Sequence, residues 1–244
     1  MSKDIKKAVV FTFGRMNPPT IGHEKVIAHT INQAEEKNAD HYVYVSHTQD
    51  AKKNPLSPEE KVSYIKRAIP SVNVRSSTKE IYGPLQMAKE LHSKGYQHLT
   101  MVAGSDRIDH YKTLLNKYNG PDKEYNFKSI NVVSAGKRDD TKGGVAGMSG
   151  TKLRGHAVAG NKEIFKSGLI SGLEDKHKEE IYNKVRSSMG VSEDTQKRIP
   201  FLLMTEKQKM QLLKPSISEE EIVNPLETEV PRTLLSFKKF LQKI

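Results

Sequence analysis

Short apolar runs alternate with amphipathic stretches along the first two thirds of the chain. Val9, Val10, Phe11 and Phe13 form a compact apolar run that predicts a buried strand. The run breaks at Gly14, turns through Asn17-Pro18-Pro19 and enters a helix near Thr20. Ile21, Val26, Ile27 and Ile31 then recur at helical spacing, predicting a helix over 21–37. Residues 41–46, rich in aromatic and β-branched side chains, predict a second strand. A polar loop, 47–54, leads to Ser57-Pro58-Glu59-Glu60, which carries an N-cap, a proline at the first helical position and an acid at the third. That helix is expected to end at Ala68, before Pro70.

The alternation continues. A short strand is expected over 72–74, a helix from Pro84 to near Gly95, a strand over 99–103, a helix over 107–118 and a strand over 130–134. Strand and helix thus alternate five times, which predicts an α/β fold with a doubly wound, parallel, five-stranded sheet. Such sheets bind ligands beyond the carboxyl ends of their strands, where the strand order reverses. The Gly14 turn, the Lys53 loop, the Gly104 turn and the Ala135 loop all fall at that edge. Residues 136–150 form a glycine-rich connection holding Gly136, Gly143, Gly144, Gly147 and Gly150. A main domain is expected over 1–190, followed by an extension over 191–244. Four prolines interrupt the extension, and it closes on an amphipathic helix with Leu234, Phe237, Phe240, Leu241 and Ile244 on one stripe. That helix is expected to pack on the body or on a second subunit.

Composition narrows the classes. Of 244 residues 35% are hydrophobic and 28% charged, the balance of a soluble globular protein. The absence of cysteine excludes disulfides, thiolate metal sites and a cysteine nucleophile, and suits a reducing, cytoplasmic setting. No apolar run reaches the length of a membrane span. Lys3 to Lys7, followed by Ala8-Val9-Val10, mimics the start of a signal peptide, but its apolar part is too short, so no export signal is expected. The net charge is +11, and residues 191–244 hold nine Lys/Arg against eight Asp/Glu, so the excess lies in the body. A basic body suits a phosphate-rich small ligand or a nucleic acid, and charge does not choose between them.

The candidate chemistry sits at two helix starts. Gly14, Thr20, Gly22 and His23 surround a strand–turn–helix junction whose unpaired N–H groups and dipole suit a phosphate. Thr20 and His23 share a face once the helix begins. Further on, Ser149 or Thr151 caps a helix, and Arg154 falls one turn inside it. This pairs hydroxyls and N–H groups with a guanidinium.

These two stretches resemble the signatures of the nucleotidylyltransferase superfamily. Gly14-Arg15-x-x-Pro18-x-Thr20-x-Gly22-His23 is similar to its first motif, (His or Thr)-x-Gly-His. Met148-Ser149-Gly150-Thr151-Lys152-Leu153-Arg154 is similar to its second, Ile-Ser-x-Thr-x-x-Arg, with Met148 in place of the isoleucine. The Gly-Arg-x-x-Pro lead-in and the second motif resemble archaeal nicotinamide mononucleotide adenylyltransferases. The Thr form of the first motif and the Lys52-Lys53-Asn54-Pro55 loop resemble phosphopantetheine adenylyltransferases. The whole chain is also similar to cytidylyltransferase-like proteins of tailed bacteriophages, which would act in the host cytoplasm.

The resemblance implies a Rossmann-like nucleotidyltransferase moving a nucleoside monophosphate from a triphosphate to a phosphate-bearing acceptor. ATP and nicotinamide mononucleotide are the expected pair. A cytidylyltransferase for a phosphorylated alcohol, and a non-catalytic nucleotide- or nucleic-acid-binding protein reusing the fold, are the alternatives. It implies His23, Thr20, Lys53 and Arg154 as catalytic residues, with Lys52 as an alternative to Lys53. Phe13, Gly14, Arg15, Gly22, Gly104, Asp106, Ser149, Gly150 and Thr151 would bind nucleotide. Mg2+ would ride on the triphosphate, because no dedicated carboxylate cluster is evident.

Overall fold

In a computed structural model the described residues are 7–136 and 148–191. Five parallel strands, β1 (Ala8–Gly14), β2 (Asp40–Val45), β3 (Val74–Ser76), β4 (His98–Ala103) and β5 (Ser129–Ser134), form one sheet in the order β3-β2-β1-β4-β5. The order runs outward from β1 in both directions, so the sheet is doubly wound. Its switch point lies between β1 and β4, the position at which sheets of this winding bind ligands beyond the strand ends. The helices are α1 (Ile21–Glu36), α2 (Pro58–Ala68), α3 (Pro84–Ser93), α4 (Ile108–Lys117), α5 (Gly150–Val158), α6 (Lys162–Gly168) and α7 (Asp175–Ser188).

Side chains alternate across the sheet, as the pleat requires. Val10, Val43, Val45 and Val102 lie in the clusters that hold Ile27 and Ala34 of α1, Ile65 of α2, Leu153 of α5 and Ile181 of α7. Val9, Phe11, Tyr44, Leu99 and Met101 lie in the cluster that holds Met87 and Leu91 of α3 and Leu115 of α4. Helices therefore cover both faces, which explains why the strands read as continuous apolar runs. Thr12 lies in β1 and is buried, and its hydroxyl donates to the Val102 carbonyl of β4 at 2.9 Å.

Two elements differ from expectation. The third strand is Val74–Ser76 rather than 72–74, because the Val72 N–H turns back to the Ile69 carbonyl (3.1 Å) and its side chain is buried beside α2. The helix expected over 107–118 begins with a 3-10 turn at Ser105–Arg107 and becomes α-helical at Ile108. Helices α6 and α7 lie in a stretch for which the periodicity reading gave no elements. The extension expected over 191–244 lies outside the described residues from 192 onward, as do the amphipathic helix expected at its end and Lys3, Gly143, Gly144 and Gly147.

Candidate functional site

Strand β1 delivers the first segment. After Gly14 the chain passes through Met16, at φ 48, and a cis Asn17–Pro18 bond, then starts α1 with Thr20 as its N-cap. The Thr20 hydroxyl accepts from the His23 N–H at 3.3 Å. The His23 ring returns the bond: its Nδ1 accepts from the Thr20 N–H at 3.1 Å and stands 2.9 Å from the Thr20 hydroxyl. An imidazole thus fills the place usually held by Glu or Gln in a capping box. Because Nδ1 accepts a backbone N–H it carries no proton, so the neutral ring keeps its proton on Nε2 as a donor. A Cβ added at Gly14 would lie 4.0 Å from Cδ2 of that ring and 3.2 Å from Met16 Cε.

The second segment begins α5. Ser149 is the N-cap, and its hydroxyl accepts from the Lys152 N–H at 3.2 Å. Arg154 is only 9% exposed. Its Nη1 donates to the Asn17 carbonyl at 2.6 Å and its Nη2 to the Thr151 hydroxyl at 3.1 Å. Burial lowers the pKa of this guanidinium and the charge of Arg15 adds to the effect, while Asp50 opposes it. The two segments therefore meet: the start of α5 is seated on the turn that starts α1. Gly150 packs closely on that turn: a Cβ there would come 3.1 Å from the Asn17 oxygen and 3.4 Å from Arg154 Nη1. Gly22 approaches the same seam, with its Cβ position 3.5 Å from the Met148 carbonyl.

The loop after β2 joins both. The Asn17 side chain is buried and pairs twice with Leu56, donating to its carbonyl (2.9 Å) and accepting from its N–H (3.0 Å). Earlier in the loop, Asp50 accepts from the N–H groups of Lys53 (2.6 Å) and Lys52 (3.0 Å) and from the Asn54 side chain. Those bonds hold its carboxyl down at about 2, the Lys53 N–H first among them. The Lys52 and Lys53 side chains are exposed, as is Arg15.

Other expected residues lie at the same sheet edge. Phe13 is half-buried near the end of β1, opposite Tyr44 in the ladder. Gly104 and Asp106 follow β4. Asp106 folds back over Gly104, with Oδ1 2.7 Å from where a Cβ would stand, and lies 3.8 Å from Arg107 Nε. Their side-chain contacts are local and do not reach the Thr20–His23 or Arg154 groups.

Three residues of this region were not legible as site residues. Asn17 reads as an ordinary turn residue before Pro18-Pro19. Glu24 accepts from the N–H (2.8 Å) and hydroxyl of Ser171, fastening the first turn of α1 to the connection between α6 and α7. Lys61 is fully buried on α2, at a position four residues before the inward Ile65. That polar break in an apolar stripe is the signal that would have found it.

The assembled edge carries four cationic side chains, an imidazole N–H and two adjacent helix N-termini, a combination suited to a polyanion. Among the described residues there is no group of three or more metal-ligating side chains, and no helix is long and apolar enough to cross a membrane.

No protein-family profile matches this chain, and no curated protein matches it. Among solved structures it is similar to a bifunctional NMN adenylyltransferase/ADP ribose pyrophosphatase from Francisella tularensis, determined in complex with AMP and a Mn ion. The identity is 18% and the TM-score 0.48, covering 87% of this chain and 57% of that one. The chain thus spans little more than half the length of that neighbour.

Proposed function

We propose that this chain is a nucleotidyltransferase that moves a nucleoside monophosphate from a triphosphate, ATP in the first instance, to a phosphate-bearing acceptor such as nicotinamide mononucleotide. The observation that carries the reading is the Arg154–Asn17 hydrogen bond. It seats one phosphate-suited helix start against another, in the manner that the two motif resemblances imply.

In the reaction an acceptor phosphate oxygen attacks the α-phosphorus, the bond from that phosphorus to the bridging oxygen breaks, and pyrophosphate leaves with the bonding electrons. No protein nucleophile is required. The chain's task is to hold the reactants in line and to neutralise growing charge. His23 Nε2–H donates to the α-phosphate, and Thr20, already bonded to Nδ1, keeps the ring in that tautomer. Arg154, with Ser149 and Thr151 and the α5 N–H groups, holds the β- and γ-phosphates. Lys53, or Lys52 beside it, bridges phosphates as a mobile charge, and Arg15 reaches the acceptor phosphate. Phe13, Gly14 and Gly22 shape the turn, and Gly104 and Asp106 meet the ribose. Mg2+ would enter on the triphosphate's own oxygens and neutralise part of their charge. The residues present fit that arrangement, in which the protein supplies cations and N–H donors rather than carboxylate ligands.

The test is pyrophosphate release by the full chain with Mg2+, each nucleoside triphosphate in turn, and nicotinamide mononucleotide or phosphorylated alcohols as acceptors. Release that requires both ATP and nicotinamide mononucleotide is expected. Release with CTP and a phosphorylated alcohol would move the substrate assignment, and no release with any pair would overturn the enzyme reading.

A further inference from the structure

Lys61 occupies a place where an apolar side chain is expected. It lies in the first turn of α2, one turn before Ile65, and the two are the buried residues of that helix. A cation so close to a helix N-terminus is disfavoured by the dipole, and a fully buried ammonium is disfavoured by desolvation. Neither the helix nor the core gains from it.

What it does is hold a loop. Its Nζ donates to the Ser46 carbonyl, to the Ser46 hydroxyl (3.2 Å) and to the Thr48 carbonyl (3.4 Å). Ser46 in turn ties β2 to the end of β1. Its N–H donates to the Gly14 carbonyl at 3.0 Å, and its hydroxyl reaches the Arg15 carbonyl at 3.5 Å while accepting from the Thr48 hydroxyl at 3.1 Å. A few residues on, the same loop presents Asp50, Lys52 and Lys53. One ammonium, with all three donors used on loop oxygens, therefore sits behind both the Gly14–Arg15 turn and the lysine loop.

We propose that Lys61 is the positioning residue of the site, an internal cation that fixes the Ser46–Asn54 loop against the Gly14 turn so that Lys52 and Lys53 face the phosphates. The phosphate-facing role rests on the function proposed above; the fastening does not.

Amide hydrogen exchange on the free protein separates the two. Lys61→Met keeps the shape and removes the donors, and Lys61→Gln keeps two donors without the charge. In Lys61→Met the amides of Asp50, Lys53 and Asn54 should exchange roughly tenfold faster, with those of β1 and of α2 beyond its first turn unchanged. Lys61→Gln should fall between. In the pyrophosphate assay Lys61→Met should raise KM for the triphosphate roughly fivefold, with kcat changed less than about twofold. Unchanged loop protection in Lys61→Met, faster exchange spread evenly over the sheet and helices, or failure of both variants to fold would overturn the assignment. A kcat loss without a KM change would overturn the phosphate-facing part. A wild-type chain that releases no pyrophosphate would remove the function proposed above, and the exchange comparison would still decide whether Lys61 fastens the loop.

Discussion

Nη1 of Arg154 donates to the main-chain oxygen of Asn17 at 2.6 Å, a bond that spans 137 positions of sequence. A backbone acceptor cannot be lost by exchanging the Asn17 side chain, so the bond is a property of the turn's path. It leaves the guanidinium positioned at the edge where the Thr20–His23 pair also stands.

Arg154 should therefore be sensitive to geometry as well as charge. Arg154→Lys keeps a cation but cannot bridge the Asn17 oxygen and the Thr151 hydroxyl with one planar fork. Its kcat/KM for the triphosphate should fall by roughly ten- to a hundredfold, and that of Arg154→Ala by roughly a hundred- to a thousandfold. Equal nucleotide dependence in wild type and Arg154→Ala, measured by pyrophosphate release, would take Arg154 out of the site.

His23 serves both a cap and the proposed chemistry, and the two can be measured apart. His23→Gln can still return a bond to the Thr20 N–H, so its thermal stability should stay close to wild type. His23→Ala should lose about 1 kcal/mol, the ordinary worth of such a cap. Both variants should lose turnover by roughly a hundred- to a thousandfold, because alanine has no donor and the glutamine amide, with its oxygen turned to the Thr20 N–H, does not hold its own N–H where the imidazole Nε2–H stands. A tenfold or smaller loss in the folded variants would count against the role.

Asn17→Ala should cost more stability than any exposed substitution at the site. It strips the Leu56 N–H and carbonyl of their buried partners at once, a change worth about 2–4 kcal/mol. Urea denaturation measures this directly. A cost under about 0.5 kcal/mol would mean that Leu56 finds other partners.

Lys61 makes the stability depend on pH. Burial pushes its pKa down from 10.5 to about 8, against the nearby charge of Glu59. Between those values the unfolded chain binds the proton more tightly than the folded one, so stability rises with pH there. Below about pH 8 both states are charged and the full cost of burial is present; above about 10.5 it is gone. Relative to Lys61→Met, the wild type should gain stability from about pH 8 upward. Chemical denaturation of both proteins at several pH values checks the sign. A stability difference that does not change with pH would remove the depressed pKa.

The sheet was legible because parallel strands covered on both faces must be apolar on both, and Val9–Phe13 and Leu99–Ala103 carry that mark. The starts of α1 and α2 were legible because Thr20 and Ser57 are local caps that act within four residues. Val72 misled the strand assignment because a β-branched residue can be buried from a turn as readily as from a ladder. Asn17 and Glu24 were illegible as site-forming residues because their partners, Leu56 and Ser171, lie at distances that no local pattern encodes. Lys61 left a local mark, a cation in an apolar stripe, but its partners around Ser46 and Thr48 did not.

The sequence by itself determined the alternation of strands and helices, the two capped helix starts and the excess of positive charge, since each depends on neighbours a few positions away. Only the tertiary structure decided that the start of α5 rests on the turn before α1, that Asn17 closes that turn onto Leu56, and that a buried ammonium holds the loop between them. Those are contacts between segments far apart in the chain, made possible when the outward winding of the sheet from β1 brings the strand ends to one edge.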